Sequence, residues 1–464
     1  MKIINFLNDR VFGALLPFLL IGAGIYFCIR LRFFHFLHPI RSARMMLKKD
    51  ETQTGEGPVR ALLLALAGTL GVGNITGVAL AISVGGAGAV FWMWVSAAAA
   101  MIIRYAEIVL ALDSRKYEDG EFHGAAMYYI ESGVGGSAGR IFALIFGVLC
   151  LLCSYFIGGI IQSSVISESF HEIFSISKTA SGIFVGALAF FVIIGGAKKI
   201  SAITTSLVPF MTVLYVLISI VAILSSFGGM GEVLKSIFSQ AFRFEGAGAG
   251  IFGFFASDAV RSGVSRGLIS NEAGCGTAPM AHSTSGVSEP SRQGLLGIFE
   301  VFIDTVVLCS LTAFVILLNC DSIPTSDSDG MMTVISAFSA VFGRWAGVII
   351  SVCIFFFAFA TIICWAYYGQ SCVRYFSKKH TRLYTILFCA SLIGGAVLAP
   401  SFIWGATDVI IGAMTVINIC ALITKADRVV ALSAKSGLIK TKIKARGCVK
   451  RDAHPQSTNA LSYR

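Results

Sequence analysis

The residues best placed to do chemistry in this chain are polar ones stranded among apolar neighbours. Asn74 lies in Gly68-Thr69-Leu70-Gly71-Val72-Gly73-Asn74-Ile75-Thr76-Gly77, midway along an apolar run from Arg60 to Val84. Its amide offers an oxygen to a hard monovalent cation and N–H groups to a carboxylate, and Thr69 adds a hydroxyl. Each glycine costs a helix about 1 kcal/mol against alanine, and backbone groups freed in hydrocarbon cost several more. A segment with four glycines in ten residues is therefore expected to unwind at Gly71 and Gly73, its bare N–H and C=O groups turned to a cavity. From Asn74 onward the chain restarts as a half-helix whose N-terminal dipole suits a carboxylate.

A second interruption follows some 200 residues later at Ser270-Asn271-Glu272-Ala273-Gly274-Cys275-Gly276, with Thr277 and Pro279 beyond it. A carboxylate inside a span is costly and marks function. Glu272 has three readings: a cation ligand, a proton relay, or a structural partner of Arg261 or Arg266. Other polar residues stand inside apolar stretches. Gln162 follows Gly158 and Gly159 and is within reach of an amine or a carboxylate. Thr361 and Trp365, four apart, share a helix face, which sets a cation-binding hydroxyl beside an aromatic wall. Against this stand a hydroxyl bonded back to its own helix and a Trp in an interfacial belt. Asp304 reads as a gate, a proton relay or a structural partner. Arg104 and Glu107 read as a snorkelling pair at the end of a span rather than as a site.

These residues need elements long enough to cross a bilayer. The chain has 464 residues, 56% hydrophobic and 13% charged, with mean hydropathy +0.81. Soluble domains are about 25% charged, so the chain is expected to be an all-α polytopic membrane protein. With about 20 apolar residues per helix, about eleven spans are expected, near 12–33, 59–84, 88–112, 140–166, 181–197, 204–226, 248–275, 294–318, 344–369, 383–400 and 404–424.

A net charge of +11 would suit nucleic acid, but the basic residues cluster in alternate loops. They include Arg30 to Lys49, Arg115 and Lys116, Lys198 and Lys199, Arg374 to Arg382, and the tail from Lys425. The positive-inside rule then places the N-terminus outside and the C-terminus in the cytoplasm of a plasma (inner) membrane protein. The twelve cysteines fall mostly within spans and form no disulfide framework. Gly263-Val264-Ser265-Arg266-Gly267 matches a nucleophile elbow in letters but lacks the strand–turn–helix context, and no P-loop occurs. An enzyme is not expected.

The organisation follows from the breaks. Residues 1–58 form one helix and a basic linker, 59–227 a first set of five spans, 228–247 an extracytoplasmic connection, 248–424 a second set of five, and 425–464 a basic tail. Each set opens with a broken span, and five spans per set make the repeats inverted. This is the LeuT-like 5+5 arrangement with one extra N-terminal helix, and it places a substrate site at the midplane between the breaks.

The motifs quoted, together with Gly88 to Trp94, Tyr105-Ala106-Glu107, Met127 to Glu131, Leu207 to Met211, Arg266 to Pro279, and Ala358 to Thr361 with Trp365 to Gly369, resemble the alanine or glycine:cation symporter family. The resemblance runs in order through nearly the whole chain. It implies cation-coupled uptake, with Na+ as the coupling ion and no other cofactor, of alanine, glycine or a similar small neutral amino acid. It implies substrate contacts at Gly73, Asn74, Gln162, Asn271, Gly274, Thr361 and Trp365. It also implies a sodium site from backbone at Thr69, Leu70 and Val72 with the Thr361 hydroxyl. The implied partners are the amino acid, Na+ or H+, and the lipid bilayer, and a monomer suffices.

The chain departs from the family pattern in several places. Ala360 stands where a second hydroxyl residue is common, Gly159 where an Asn is common, Ala125-Ala126 for Gly-Pro, and Cys275 for Met. The loss of one oxygen at Ala360 leaves proton-coupled or uncoupled movement of another small amino acid, such as serine or glutamine, as the alternative.

Overall fold

The computed structural model describes residues 13–46, 56–242, 257–320, 330–398 and 400–440. The acidic loop at 321–329, residues 243–256 (the end of the expected connection and the start of the second expected repeat), and the tail beyond 440 lie outside the described residues. The chain opens with α1 (Gly13–Arg30). After the basic linker come α2 (Pro58–Thr69) and α3 (Thr76–Gly85), the two halves of the first broken span. Helix α4 (Gly88–Ser114) leads into a hairpin of β1 (Lys116–Glu118) and β2 (Glu121–His123), paired antiparallel with Tyr117 opposite Phe122. Then follow α5 (Ala126–Val134), α6 (Gly136–Phe174), α7 (Lys178–Ile193), α8 (Gly196–Ser225) and α9 (Met230–Ala241). The second broken span is α10 (Asp258–Asn271) and the short α11 (Pro279–His282). Beyond it lie α12 (Pro290–Asn319), α13 (Gly330–Phe342), α14 (Ala346–Phe376), α15 (Thr381–Gly395), α16 (Pro400–Thr424) and α17 (Ala426–Lys435).

Among the described residues six helical segments are long and apolar enough to cross a membrane: α4, α6, α8, α12, α13 continued by α14, and Gly405–Thr424 of α16. Four shorter apolar helices accompany them: Leu15–Arg30 of α1, then α2, α3 and α7. The shortness of α2 and α3 is the direct result of the break between them. The apolar stretch of α4 is 83% buried, whereas that of α8 is 33% buried. Helix α4 is thus a central post, packed against α1, α10 and α12. The outer faces of α7 and α8 leave Phe184, Phe191, Phe210, Leu217 and Leu224 exposed, as apolar lipid requires.

Both interruptions form where the sequence placed them, by different local means. At the first, Leu70 ends α2, Gly71 is extended, and Val72–Asn74 makes one 3-10 turn before α3 restarts. The Asn74 carboxamide accepts the Gly71 N–H at 3.2 Å, so the loop caps itself. At the second, Glu272 takes the left-handed conformation (φ 53°) and Gly274 follows at φ 91°. A side chain at Gly274 would be strained there, and the Asn271 side-chain Oδ1 accepts the Ala273 N–H at 3.0 Å to hold the turn.

Two π-helical turns, Ser154–Ile161 in α6 and Phe302–Cys309 in α12, lie beside the breaks. Such turns shift the register of the residues after them and concentrate at functional sites. The first delivers Gln162, and the second carries Asp304 and Thr305.

Candidate functional site

A small cavity opens where the two breaks meet α6 and α14. The first break gives it Thr69, Gly71, Val72 and Gly73; the others contribute Gln162, Glu272 and Thr361. Ile157, Ile161 and Ile269 form its apolar wall. Its polar groups are largely backbone, with one amide, one carboxylate and two hydroxyls. Gln162 ties the cavity to the unwound segment, since its carbonyl oxygen accepts the Val72 N–H at 3.4 Å while its amide donates to Ile157 O at 3.1 Å. The Thr69 hydroxyl is buried and has no hydrogen-bond partner among the described residues, so a polar atom in the cavity wall is left for something else to satisfy.

Thr361 marks a cluster of oxygens. Its hydroxyl lies 3.1 Å from Ala67 O, 3.4 Å from Leu70 O and 3.1 Å from Phe357 O. A hydroxyl carries one hydrogen, so it cannot satisfy three carbonyls at once. Three carbonyl oxygens and a hydroxyl oxygen around one point suit a hard monovalent cation. The cluster includes Leu70; its other carbonyl from this span comes from Ala67 in α2, while the Thr69 and Val72 carbonyls accept from the Gly71 N–H and the Thr76 hydroxyl. Gly71 permits the approach, because a Cβ there would stand 2.8 Å from the Thr361 hydroxyl.

Four of the expected residues line the cavity itself besides Glu272 and Val72, namely Thr69, Gly73, Gln162 and Thr361. The rest stand one layer behind it. Asn74 donates to Asp304 Oδ1 at 2.7 Å and to Ser270 Oγ at 3.0 Å. Asp304 Oδ2 accepts from Ser270 at 2.8 Å and Thr305 at 2.7 Å. Asn271 donates to Thr305 Oγ1 at 3.1 Å. This buried network joins the first break, the second break and the π-turn of α12.

Trp365, fully buried rather than in an interfacial belt, donates its indole N–H to Glu272 Oε1 at 3.0 Å, and Thr277 donates to Oε2 at 2.7 Å. Both Glu272 oxygens are thus held by neutral donors. Gly274 is engaged through its backbone only.

The structure overturns the snorkelling reading of Arg104 and Glu107, both 0% exposed. They pair at 3.1 Å inside the bundle. Arg104 donates to the Asn271 carbonyl, at the C-terminal end of α10. Glu107 Oε1 accepts the N–H groups of Gly274 at 3.0 Å and Gly276 at 2.9 Å and the Asn418 amide at 2.6 Å. Asn418 also donates to Gly274 O at 2.8 Å. A carboxylate on α4 thereby satisfies the N–H groups that the second break releases, and a guanidinium satisfies a released carbonyl. Sequence reading missed this because an i,i+3 pair looks self-contained. The matching signal was the count of donors freed by the second break, which need acceptors somewhere.

Paired helix breaks at one cavity, a cluster of oxygens beside it and an apolar outer surface are features of a secondary transporter. The family profile described as "Sodium:alanine symporter family" matches residues 1–436. The chain belongs to that family. It is 34% identical over 439 residues to the sodium/alanine symporter AgcS of Methanococcus maripaludis, covering 93% of this chain and 96% of that one. It is 34% identical over 425 residues to the amino-acid carrier protein AlsT of Bacillus subtilis, covering 91% and 89%. A probable sodium/glutamine symporter, GlnT of Bacillus subtilis, is 32% identical over 428 residues, 90% of this chain and 87% of that one.

Among solved structures, MhsT in complex with L-phenylalanine matches with TM-score 0.57 at 14% identity, covering 83% of this chain and 99% of that one. A manganese transporter from Eremococcus coleocola matches with TM-score 0.52 at 13% identity, over 79% and 76%. At such low identity these two likenesses speak for the LeuT-type fold alone.

Proposed function

We propose that this protein is a sodium-coupled importer of a small neutral amino acid, alanine or glycine, working by alternating access between two inverted five-helix repeats. Eleven spans, an external N-terminus and a cytoplasmic C-terminus belong to the same reading. The observation that carries it is the adjacency of two unlike features, the cavity at the unwound backbone and the oxygen cluster at Thr361. In this reading the substrate carboxylate takes the N–H groups at Gly71 to Gly73 and the N-terminal end of α3. The amine faces Gln162 and Glu272, and the side chain faces the wall of Ile157, Ile161 and Ile269. Asn74, Asn271, Gly274 and Trp365 act from behind, holding the breaks and Glu272 in place.

Na+ takes the carbonyls of Ala67, Leu70 and Phe357 with the Thr361 hydroxyl. Because Leu70 and Val72 belong to one unwound loop, a cation that orders the loop also orders the N–H groups offered to the substrate. Linkage then requires the amino acid to tighten cation binding by the same factor that the cation tightens the amino acid.

A second reading, proton coupling, draws on Ala360, which brings no hydroxyl to the cation cluster, and on Glu272 in the cavity wall, with Asp304 behind it as a relay or gate. Reconstitution in liposomes decides between the two. Labelled alanine and glycine that accumulate under an inward sodium gradient, and fail to accumulate under a proton gradient alone, agree with sodium symport. Accumulation driven by protons without sodium overturns it.

A further inference from the structure

Outside the amino-acid cavity, a buried hydrogen-bonded chain runs through His282, Glu300 and Gln293, all 0% exposed. His282 closes α11, the short helix just after the second break. Its Nε2 lies 2.8 Å from Glu300 Oε2, and its Nδ1 lies 2.8 Å from Gln293 Nε2. The same Gln293 amide donates to Pro58 O at 3.3 Å, at the first turn of α2. Glu300 Oε2 also lies 3.8 Å from Arg104 Nε. Two oxygens of this chain, Gln293 Oε1 and Glu300 Oε1, are buried without a hydrogen-bond partner among the described residues.

We propose that His282 and Glu300 form a proton-binding site whose occupancy is coupled to the position of the second broken helix. The proposal rests on the transport reading for its coupling, and on local geometry for the site itself. With neutral histidine, Nε2–H donates to Glu300 and Nδ1 accepts from the Gln293 amide. Half a turn of that amide presents the unpartnered Oε1 to Nδ1 instead, ready to accept a second ring N–H. A proton taken up from the aqueous phase thus adds to His282 Nδ1, while the Gln293 NH2 leaves Nδ1 and Pro58 O and turns to the side where Oε1 stood. Both ring nitrogens keep a partner in either protonation state, by exchange of the Gln293 nitrogen for its oxygen at Nδ1.

Charged groups of both signs surround the site. From α4, Arg104, Glu107 and Arg115 face this region, and Arg115 holds the carbonyls of Ser283, Ser285 and Val287. Helix α12 brings Glu300 and Arg292, α14 brings Tyr367 and Tyr368, and the second break brings Glu272. From the start of α2, Arg60 is paired with Glu56 at 3.4 Å. Around Arg104 itself, Glu107 pairs at 3.1 Å and Glu300 lies at 3.8 Å. Histidine is the side chain whose charge ordinarily changes near physiological pH.

Coupling follows from shared atoms. A positive His282 draws Glu300 Oε2 toward itself and away from Arg104, whose other end grips the Asn271 carbonyl at the second break. His282 itself rides on the segment that the break releases. A conformation that moves α11 must therefore change the hold on the proton, and the proton must bias that conformation by the same free energy.

The test compares wild-type protein with His282→Gln and Glu300→Gln in liposomes. Alanine uptake is measured at a fixed sodium gradient, with equal pH on both sides, from about pH 5.5 to about pH 8.5. In parallel, proton binding over the same range is titrated on the monodisperse proteins in detergent. The wild-type half-saturating alanine concentration is expected to shift about tenfold across the range. His282→Gln is expected to flatten that profile to under about twofold and to bind about one proton fewer. Glu300→Gln should flatten the profile in the same way without removing the ring. A flat wild-type profile, a variant that keeps the wild-type profile, or an unchanged proton count each overturns the proposal. Absence of wild-type uptake under every gradient would instead strike the transport reading. The titration would still decide the proton site, and an unchanged count would sink it.

Discussion

The two broken helices solve one problem with opposite chemistry. At the first break the freed backbone is met by neutral groups: the Asn74 and Gln162 carboxamides and the Thr361 hydroxyl. Near it the Thr69 hydroxyl has no partner among the described residues. At the second break the freed backbone is met by a buried ion pair, Arg104 with Glu107, reinforced by Asn418. Neutral, under-satisfied contacts can be exchanged for a ligand at small cost, whereas a buried charge stripped of its partner costs several kcal/mol. Under the proposed function the contrast assigns different duties: the first break would exchange partners with substrate and cation, the second would keep its shape.

The sharpest way to break this contrast is Glu107→Ala. It removes the acceptor for two backbone N–H groups and leaves Arg104 without its nearest buried carboxylate, a loss of about 3–5 kcal/mol. Little folded protein is expected on size-exclusion chromatography in detergent. Glu107→Gln should restore folding in part, and a stable, fully active Glu107→Ala would refute the clamp. Next in size is Asn74→Ala, which removes donors to Asp304 and Ser270 but no charge. About 100-fold loss of alanine uptake is expected, with thermal stability reduced far less than in Glu107→Ala. Equal damage by both substitutions to stability and uptake would erase the distinction between the breaks.

Thr361→Val should raise the sodium concentration for half-maximal uptake about tenfold by removing one ligand oxygen, while Thr361→Ser stays close to wild type. If sodium dependence is untouched in Thr361→Val, the cation lies elsewhere. The smallest effect is expected from Ala360→Ser. Adding a hydroxyl beside the oxygen cluster should lower the sodium requirement about twofold to fivefold; no change would mean that position 360 does not face the ion.

Much of this molecule was legible in the sequence where residue type clashed with surroundings. Glycines in an apolar run announced both breaks, and Asn74, Glu272, Gln162 and Thr361 stood out as polar atoms at membrane depth. Asp304 was visible for the same reason, but its partners were not. What a side chain meets across the bundle is set by helix packing, and Asn74 finds Asp304 230 positions later in the chain. The apolar wall of Ile157, Ile161 and Ile269 carries no signal, since isoleucine is ordinary in any span. The π-turns at Ser154–Ile161 and Phe302–Cys309 left no mark in composition either. Arg104 and Glu107 were misread because their spacing offered a local explanation that the packing does not use. His282, Glu300 and Gln293 acquire meaning when α11 and α12 are folded together.

The charged centre of α4 also bears on how the chain enters its membrane. A buried charge such as Arg104 or Glu107 burdens an inserting helix, by up to about 2.5–3.5 kcal/mol at full membrane depth. They can offset one another at once, but their remaining partners, at Asn271, Gly274, Gly276 and Asn418, are synthesised more than 160 residues later, as the 167-residue separation of Arg104 and Asn271 requires. Helix α10, with Asp258, Arg261 and Arg266, is an equally poor solitary passenger. Each is a reluctant span until the other arrives, so biogenesis must shelter α4 beside the insertion machinery or against α1 until the second half of the protein is made.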